Sequence, residues 1–176
     1  MSDTTTALAF VFPENHELHH EINEVRKKHD KAYKRWMPHI NFFFPFVSPT
    51  EFNDVKTNLE TLNFEPFEVE FNDVGFFSQT DYATVHLRPT AESSQKMIDM
   101  HEKMLTKLGL TKKREFAPHL TMGQFSKTEA KEWRNLLREQ LVNNPIKVSC
   151  TAIMFLHRNE ETNDQMKVFD RLQLVD

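Results

Sequence analysis

Two short stretches, MPHINFFF at residues 37–44 and APHLTMGQF at residues 117–125, repeat one pattern. Both read Pro-His-apolar-(Asn or Thr)-apolar, and each is followed by the Ser-x-x-Glu spacing that is typical of a helix capping box. Their histidines, His39 and His119, stand 80 positions apart. The repeat predicts two similar lobes, each of which presents one histidine-bearing strand.

Strict alternation along a β-strand separates the two faces of each stretch. Residues i and i+2 share a face, so His39 points the same way as Asn41, and His119 the same way as Thr121. If the lobes pack with these faces together, two imidazoles and two hydrogen-bond donors converge on one cleft. One imidazole can then act as base and the other as acid, while the donors bind phosphate oxygens. This pattern predicts phosphoryl chemistry that requires no metal.

The rest of the chain predicts an α+β fold. Short apolar runs alternate with amphipathic helical patterns, and no linker divides them, so residues 1–176 are expected to form a single domain. We predict strands near residues 8–12, 39–46, 67–71, 82–87, 119–125, 146–156 and 166–174, and helices near residues 18–33, 49–62, 97–108 and 126–141.

Composition and charge exclude several classes of protein. The chain has only three glycines, which are too scattered for a dinucleotide-binding fingerprint or a P-loop. Its formal net charge of −4 argues against duplex DNA as a partner. No apolar run approaches the ~18 residues of a membrane span. We therefore expect no membrane association and a cytoplasmic location, with the nucleus as an alternative compartment.

At the two histidine motifs the sequence resembles the 2H phosphoesterase superfamily of 2′-5′ RNA ligase-like and cyclic nucleotide phosphodiesterase proteins. The signature of that superfamily is a pair of His-x-Thr/Ser motifs set among apolar residues, about as far apart as here. The second motif, His119-Leu120-Thr121, fits closely, whereas the first carries Asn41 where Thr or Ser is commoner. The resemblance extends in motif order and element order from Leu8 to about Leu174.

The resemblance implies a bilobal fold with pseudo-twofold symmetry, an antiparallel sheet in each lobe, helices outside and a central cleft. It implies a metal-independent, cofactor-free phosphodiesterase that acts on 2′,3′-cyclic phosphates or 2′-5′ linkages. By position, His39 and His119 are the expected acid and base, and Asn41 and Thr121 the expected phosphate-binding residues. The expected partner of the protein, which we expect to be a monomer, is a nucleotide or a short RNA end.

Three aromatic side chains are further candidates for lining the cleft. Under strict alternation Phe43 shares the face of His39 and is a candidate base-stacking platform, and Phe125 shares the face of His119 and could form the pocket floor. Trp36, just upstream of the first motif, could lie on the cleft rim. The alternatives are core packing for the two phenylalanines and surface packing for the tryptophan.

Two other classes of function stay open at this point. The asparagine in the first motif is also compatible with a catalytically weak or inactive domain that binds an RNA end or a nucleotide. A plain interaction scaffold would show neither binding nor turnover. The residues leave open which histidine is the acid, and whether the reaction is hydrolysis or ligation.

Overall fold

The computed structural model describes residues 3–162 and 164–176, and within these ranges the chain forms eight strands in two four-stranded antiparallel sheets, with four α-helices. The strands are β1 (Thr6–Val11), β2 (His39–Phe43), β3 (Phe67–Ser78), β4 (Ala83–Pro89), β5 (Leu120–Phe125), β6 (Ile146–Cys150), β7 (Ala152–His157) and β8 (Lys167–Gln173). The helices are α1 (His19–His29), α2 (Phe52–Glu60), α3 (Ala91–Leu108) and α4 (Lys127–Asn143), and a short 3₁₀ turn, Pro49–Glu51, leads into α2.

The strand order shows an internal repeat. One sheet has the order β2-β1-β7-β8, and the other has the order β5-β4-β3-β6. The succession β1-α1-β2-α2 recurs as β4-α3-β5-α4, and in both copies the histidine strand lies at the edge of its sheet, antiparallel to the strand before it. This arrangement confirms the predicted α+β fold with two antiparallel sheets.

One predicted strand, over residues 146–156, was wrong. The segment forms two strands that belong to different sheets, because β6 pairs with β3 while β7 pairs with β1. The chain changes sheets at the exposed Thr151. Both halves carry apolar side chains into a core, so apolar content alone does not mark the crossing between sheets.

The helices begin as their capping residues predict. Ser48 and Ser126 each accept a backbone N–H within the first turn, while Glu51 and Glu129 reach back to the serine N–H groups. Both helices that follow the histidine strands therefore have a defined start, which fixes how much chain separates strand from helix. None of the helices among the described residues combines the length and the apolar composition of a membrane span.

Each helix that precedes a histidine strand packs on the histidine strand of the other repeat. Helix α1 precedes β2 yet contacts β5, where the ring of His29 stacks on Phe125 with centroids 4.5 Å apart. Helix α3 precedes β5 yet places His101 on Phe43 of β2, with centroids 4.8 Å apart. Helices α1 and α3 therefore each connect the two sheets. Each helix packs on the histidine strand of the opposite repeat.

Gly123 on β5 allows helix α1 to approach this closely. A Cβ atom at Gly123 would lie 2.6 Å from the Cβ of His29 and 2.9 Å from its backbone carbonyl carbon. Such distances are shorter than van der Waals contact, and a backbone atom cannot move aside as a flexible side chain can. The position therefore requires glycine for its lack of volume.

We predict that Gly123→Ala lowers the free energy of unfolding by roughly 2 kcal/mol or more, the scale of an overpacked core. Denaturant unfolding measures the loss. Gly109→Ala is the matched control, because Gly109 has φ 62° but nothing within 4 Å of its Cβ position, so it carries only left-handed strain of about 1–2 kcal/mol. An unchanged stability of Gly123→Ala would contradict the close approach of α1.

Candidate active site

The two histidine strands, each at the edge of its sheet, meet where the two sheets adjoin, and the side on which the histidines lie is called the cleft face. Strand β2 begins at His39, His119 immediately precedes β5, and the two strands are in contact. The side chains are close enough for a positive charge on His119 to lower the pKa of His39. The structure therefore brings together the two imidazoles that the repeat singled out.

Both imidazoles are oriented by the same hydrogen bond. The Nδ1–H of His39 donates to the carbonyl of Met37 at 2.7 Å, and the Nδ1–H of His119 donates to the carbonyl of Ala117 at 2.8 Å. A carbonyl can only accept, so Nδ1 keeps its proton and Nε2 is the nitrogen that gains or loses one. Proline follows the accepting residue in both motifs and restricts it to extended backbone, which explains why Pro-His recurs.

The surroundings lower the pKa of both histidines. Burial is the main cause for His39, and the charges of Arg26 and His119 add to it, so that its pKa is lowered to about 4. Burial and the charge of Arg114 lower the pKa of His119. The larger shift belongs to His39. At neutral pH His39 is therefore uncharged and able to accept a proton at Nε2.

Trp36 covers one face of the His39 ring. The two rings stack with centroids 4.4 Å apart and planes 18° apart, and Phe44 meets the indole edge-on at 5.0 Å. The carbonyl of Trp36 accepts a 2.8 Å hydrogen bond from Arg26 Nη2. Arg26 is in turn paired with Asp30 at 3.0 Å, and both side chains are 2% exposed. The sequence placed Trp36 on the cleft rim, and the structure places it directly against His39.

A β-bulge interrupts each histidine strand just beyond its second motif residue. On β2, Asn41 pairs with Ala9 and Phe43 pairs with Leu8, which leaves Phe42 as the extra residue.

The bulge on β5 follows the same pattern. Thr121 pairs with His86 and Gly123 pairs with Val85, which leaves Met122 as the extra residue. An extra residue reverses the alternation of faces, so the side chains beyond it point the opposite way.

The bulges correct two of the predictions for aromatic residues. Phe43 lies on the core face of β2, where its ring packs on Phe46 and His101. Phe125 is 5% exposed and packs on His29 and Trp133 on the outer face of its sheet. Strict alternation had placed both rings beside the histidines, and this was wrong because each strand turns over at its bulge.

Two residues that the motifs did not single out as site residues lie against His119. The ring of His86 on β4 is 5.2 Å from the ring of His119, and Phe77 on β3 stacks on His86 at 4.3 Å and meets His119 edge-on at 5.0 Å. His86 is 1% exposed, whereas Phe77 is 41% exposed. The pairing of β4 with β5 brings them there, and a local sequence pattern carries no signal of it.

The two expected phosphate-binding residues follow their histidines on the cleft face. Asn41 lies two residues after His39 and is half-buried, and its Oδ1 has no hydrogen-bond partner within the described residues. Thr121 is half-buried beside His86. The candidate site thus contains two imidazoles, the hydroxyl of Thr121 and the amide of Asn41, whose buried oxygen a ligand hydroxyl could satisfy.

The family of the chain follows from its match to a family model over residues 12–162, that of the 2′-5′ RNA ligase superfamily. The chain belongs to the 2′-5′ RNA ligase superfamily. This membership confirms the resemblance predicted from the two histidine motifs. It also supports the prediction that the protein is a phosphoesterase. No curated protein sequence matches the chain.

Solved structures share the fold of this superfamily member. Escherichia coli LigT in its apo form superposes with a TM-score of 0.66 at 15% identity, covering 100% of both chains. LigT complexed with 3′-AMP gives a TM-score of 0.63 at 14% identity, covering 98% of this chain and 99% of LigT. Kluyveromyces marxianus Usb1 with uridine monophosphate gives 0.54 at 10% identity, covering 97% and 98%. At these identities the likeness shows the fold.

We predict that Trp36→Leu raises the pKa of His39 from about 4 toward its ordinary value of 6.5, because water reaches the uncovered ring face. An NMR titration of the imidazole Cε1–H signals measures the change. Trp133→Leu is the matched control, since Trp133 packs on Phe125 away from His39. An unchanged pKa of His39 in Trp36→Leu would contradict the assigned role of the indole.

We also predict that the protein loses stability as pH falls from 6.5 toward 4. Unfolded histidines bind protons near pH 6.5, whereas burial holds the pKa of His39 and of His86 at about 4, so the unfolded state binds more protons in this window. Urea unfolding at several pH values measures the slope. A free energy of unfolding that stays constant from pH 7 to pH 5 would contradict these pKa values.

The buried His101 provides a variant that reduces this slope. Its ring is stacked between Phe43 and Phe116, and burial lowers its pKa. His101→Phe keeps the aromatic stack and removes one titrating group. The free energy of unfolding should therefore depend less steeply on pH in this variant. His20→Gln, at an exposed position of α1, is the control and should leave the slope unchanged.

Proposed function

We propose that the protein is a metal-independent phosphodiesterase that acts on 2′,3′-cyclic phosphates or 2′-5′ linkages at the ends of nucleotides or RNA. The observation that carries this proposal is the matched pair of Nδ1–carbonyl hydrogen bonds at His39 and His119. Each bond leaves Nε2 for proton transfer, which is what a two-histidine acid–base mechanism requires.

The roles of the histidines follow from their surroundings. His39, whose pKa is lowered further, is the base: its Nε2 takes a proton from the attacking water as the water oxygen bonds to phosphorus. His119 is the acid: its Nε2 gives a proton to the ribose oxygen whose bond to phosphorus breaks. The product is a 2′- or 3′-phosphate, and in the ligation direction the two roles reverse.

The substrate supplies part of the charge that this mechanism needs. Burial favours neutral imidazoles in the free protein, but a bound phosphate anion stabilises the imidazolium form and raises the pKa of the acid. The amide of Asn41 and the hydroxyl of Thr121 donate to the non-bridging oxygens, where negative charge accumulates in the transition state. These donors and the imidazolium meet the charge that a metal ion would otherwise neutralise.

The nucleotide class of substrate has two supports. Solved relatives of the same fold are complexed with 3′-AMP and with uridine monophosphate. Within this chain, Phe77 presents an exposed ring beside His119 and can stack on a base, the role that the sequence had suggested for Phe43. We further propose that residues 1–176 act as one domain of two lobes, as a cytoplasmic or nuclear monomer.

A nucleotide-end binding domain without turnover is the second candidate function. It is favoured by Asn41, which stands where the superfamily motif more often has Thr or Ser. It predicts tight binding of a cyclic-phosphate oligonucleotide that is released unchanged.

The test is turnover of a short RNA that ends in a 2′,3′-cyclic phosphate, in EDTA, with products separated against 2′- and 3′-phosphate standards. We expect hydrolysis by the native protein and a loss of about 100-fold or more in His39→Ala and in His119→Ala. His20→Ala, on the exposed face of α1, is the control and should retain full activity.

Three outcomes separate the candidates. Loss in both cleft variants supports the proposal, and the product identifies the bond that opens. Undiminished hydrolysis in either variant would contradict the proposed two-histidine mechanism. Binding of both the cyclic-phosphate RNA and a 2′-5′ linked oligonucleotide without turnover of either favours the binding domain instead.

A further inference from the structure

Arg88 on β4 packs its guanidinium against the backbone of β3, next to the ring of His86. Gly75 on β3 pairs with His86 on β4, and the guanidinium occupies the space where a side chain at residue 75 would lie. A Cβ atom at Gly75 would collide with Nη2 of Arg88 and would lie 2.8 Å from Nε2 of His86. The absence of a side chain at residue 75 therefore lets the Arg88 guanidinium lie over the backbone, next to the His86 ring.

The Arg88 guanidinium is only loosely engaged by a carboxylate. Its Nη1 is 3.6 Å from Oδ2 of Asp73, and its side chain is 49% exposed. Asp73 is bound more closely by Arg138, whose Nε is 2.6 Å from Oδ1 and whose Nη2 donates to the carbonyl of Val74 at 2.8 Å. Two arginines thus share one carboxylate, so these three side chains together carry a net charge of +1.

The Arg88 guanidinium adjoins the groups proposed to react. Arg88 and His86 are two residues apart on β4 and share a face, and His86 pairs with Thr121 and lies 5.2 Å from His119 between ring centroids. An anion bound at Arg88 would therefore be a near neighbour of the phosphate at Thr121, without competing for the donors of the first site.

We propose that Arg88, positioned by Gly75 and His86, binds a second phosphate of the substrate, adjacent to the phosphate at which the reaction occurs. This inference rests on the proposed function and refines its substrate class. The preferred substrates are 2′,3′-cyclic nucleotides that carry a further phosphate, such as a 5′-phosphate or the next phosphodiester of an RNA end. The planar fork of arginine suits a phosphate better than the point charge of lysine does.

The test compares two substrates that differ in one group, a 2′,3′-cyclic nucleoside monophosphate with and without a 5′-phosphate. We expect the native protein to hydrolyse the 5′-phosphorylated substrate with a KM lower by roughly 10-fold, the effect of one hydrogen bond to a charged group. In Arg88→Gln this preference should vanish through KM, while kcat/KM for the substrate without the 5′-phosphate stays near the native value.

Two further variants identify the geometry. Arg88→Lys keeps the charge and should retain only part of the preference. Gly75→Ala places a methyl group where the guanidinium lies and displaces it, so it should reduce the preference although Arg88 is present. Arg171→Gln, an exposed arginine on β8 of the other sheet, is the matched control and should keep the full preference. Circular dichroism confirms that each variant is folded.

The outcomes for this subsite and for the proposed function are distinguishable. If neither substrate is hydrolysed by the native protein, the proposed function fails, and the subsite fails with it. If the native protein hydrolyses both substrates equally, the function stands and the second-phosphate subsite is refuted. If Arg88→Gln impairs both substrates by the same factor, Arg88 acts on the reacting phosphate, and the subsite is likewise refuted.

Discussion

The β-bulges at Phe42 and Met122 reverse the direction in which alternate side chains of each histidine strand point. Before the bulge, the histidine and the residue two positions later, Asn41 or Thr121, share one face. Beyond the bulge, Phe43 and Phe125 point away from that face and pack on rings of the helices that cross from the opposite repeat. One extra residue therefore lets a single short strand serve both the site and the core. Without it, either the donors or the phenylalanines would lie on the wrong face.

The helices that cross between repeats depend on that reversal. Helix α1 reaches β5 only because Gly123, directly beyond the bulge, has no Cβ to oppose it. The last turn of α1 carries Arg26, which pairs with Asp30 at the end of the helix. Arg26 also donates to the carbonyl of Trp36 and so places the indole on His39. A buried ion pair contributes little net stability, but its hydrogen bonds fix geometry. Packing of the core and the protonation state of the site are thus linked through one helix and one loop.

Much of this arrangement could be predicted from the sequence. The features that could not be predicted depend on which strands pair with each other. The repeat, the capping boxes, and the shared face of His39 with Asn41 depend on local periodicity, which a sequence displays directly. The positions of Phe43 and Phe125 depend on a bulge, and a bulge is a property of the pairing between two strands rather than of one strand. The division of residues 146–156 between two sheets and the approach of His86 to His119 likewise depend on which strands pair.

The proposed mechanism requires that two imidazoles from opposite repeats contact one phosphate through Nε2. NMR of the histidine ring nitrogens tests it directly, with nucleoside 3′-monophosphate added to the ¹⁵N-labelled protein and with His39→Gln and His119→Gln to assign the signals. We expect that His39 and His119 both hold the Nδ1–H form when free, and that their Nε2 signals shift together on binding while the signal of exposed His20 does not. A nucleotide that saturates the protein yet shifts only one of the two imidazoles, or neither, would contradict it.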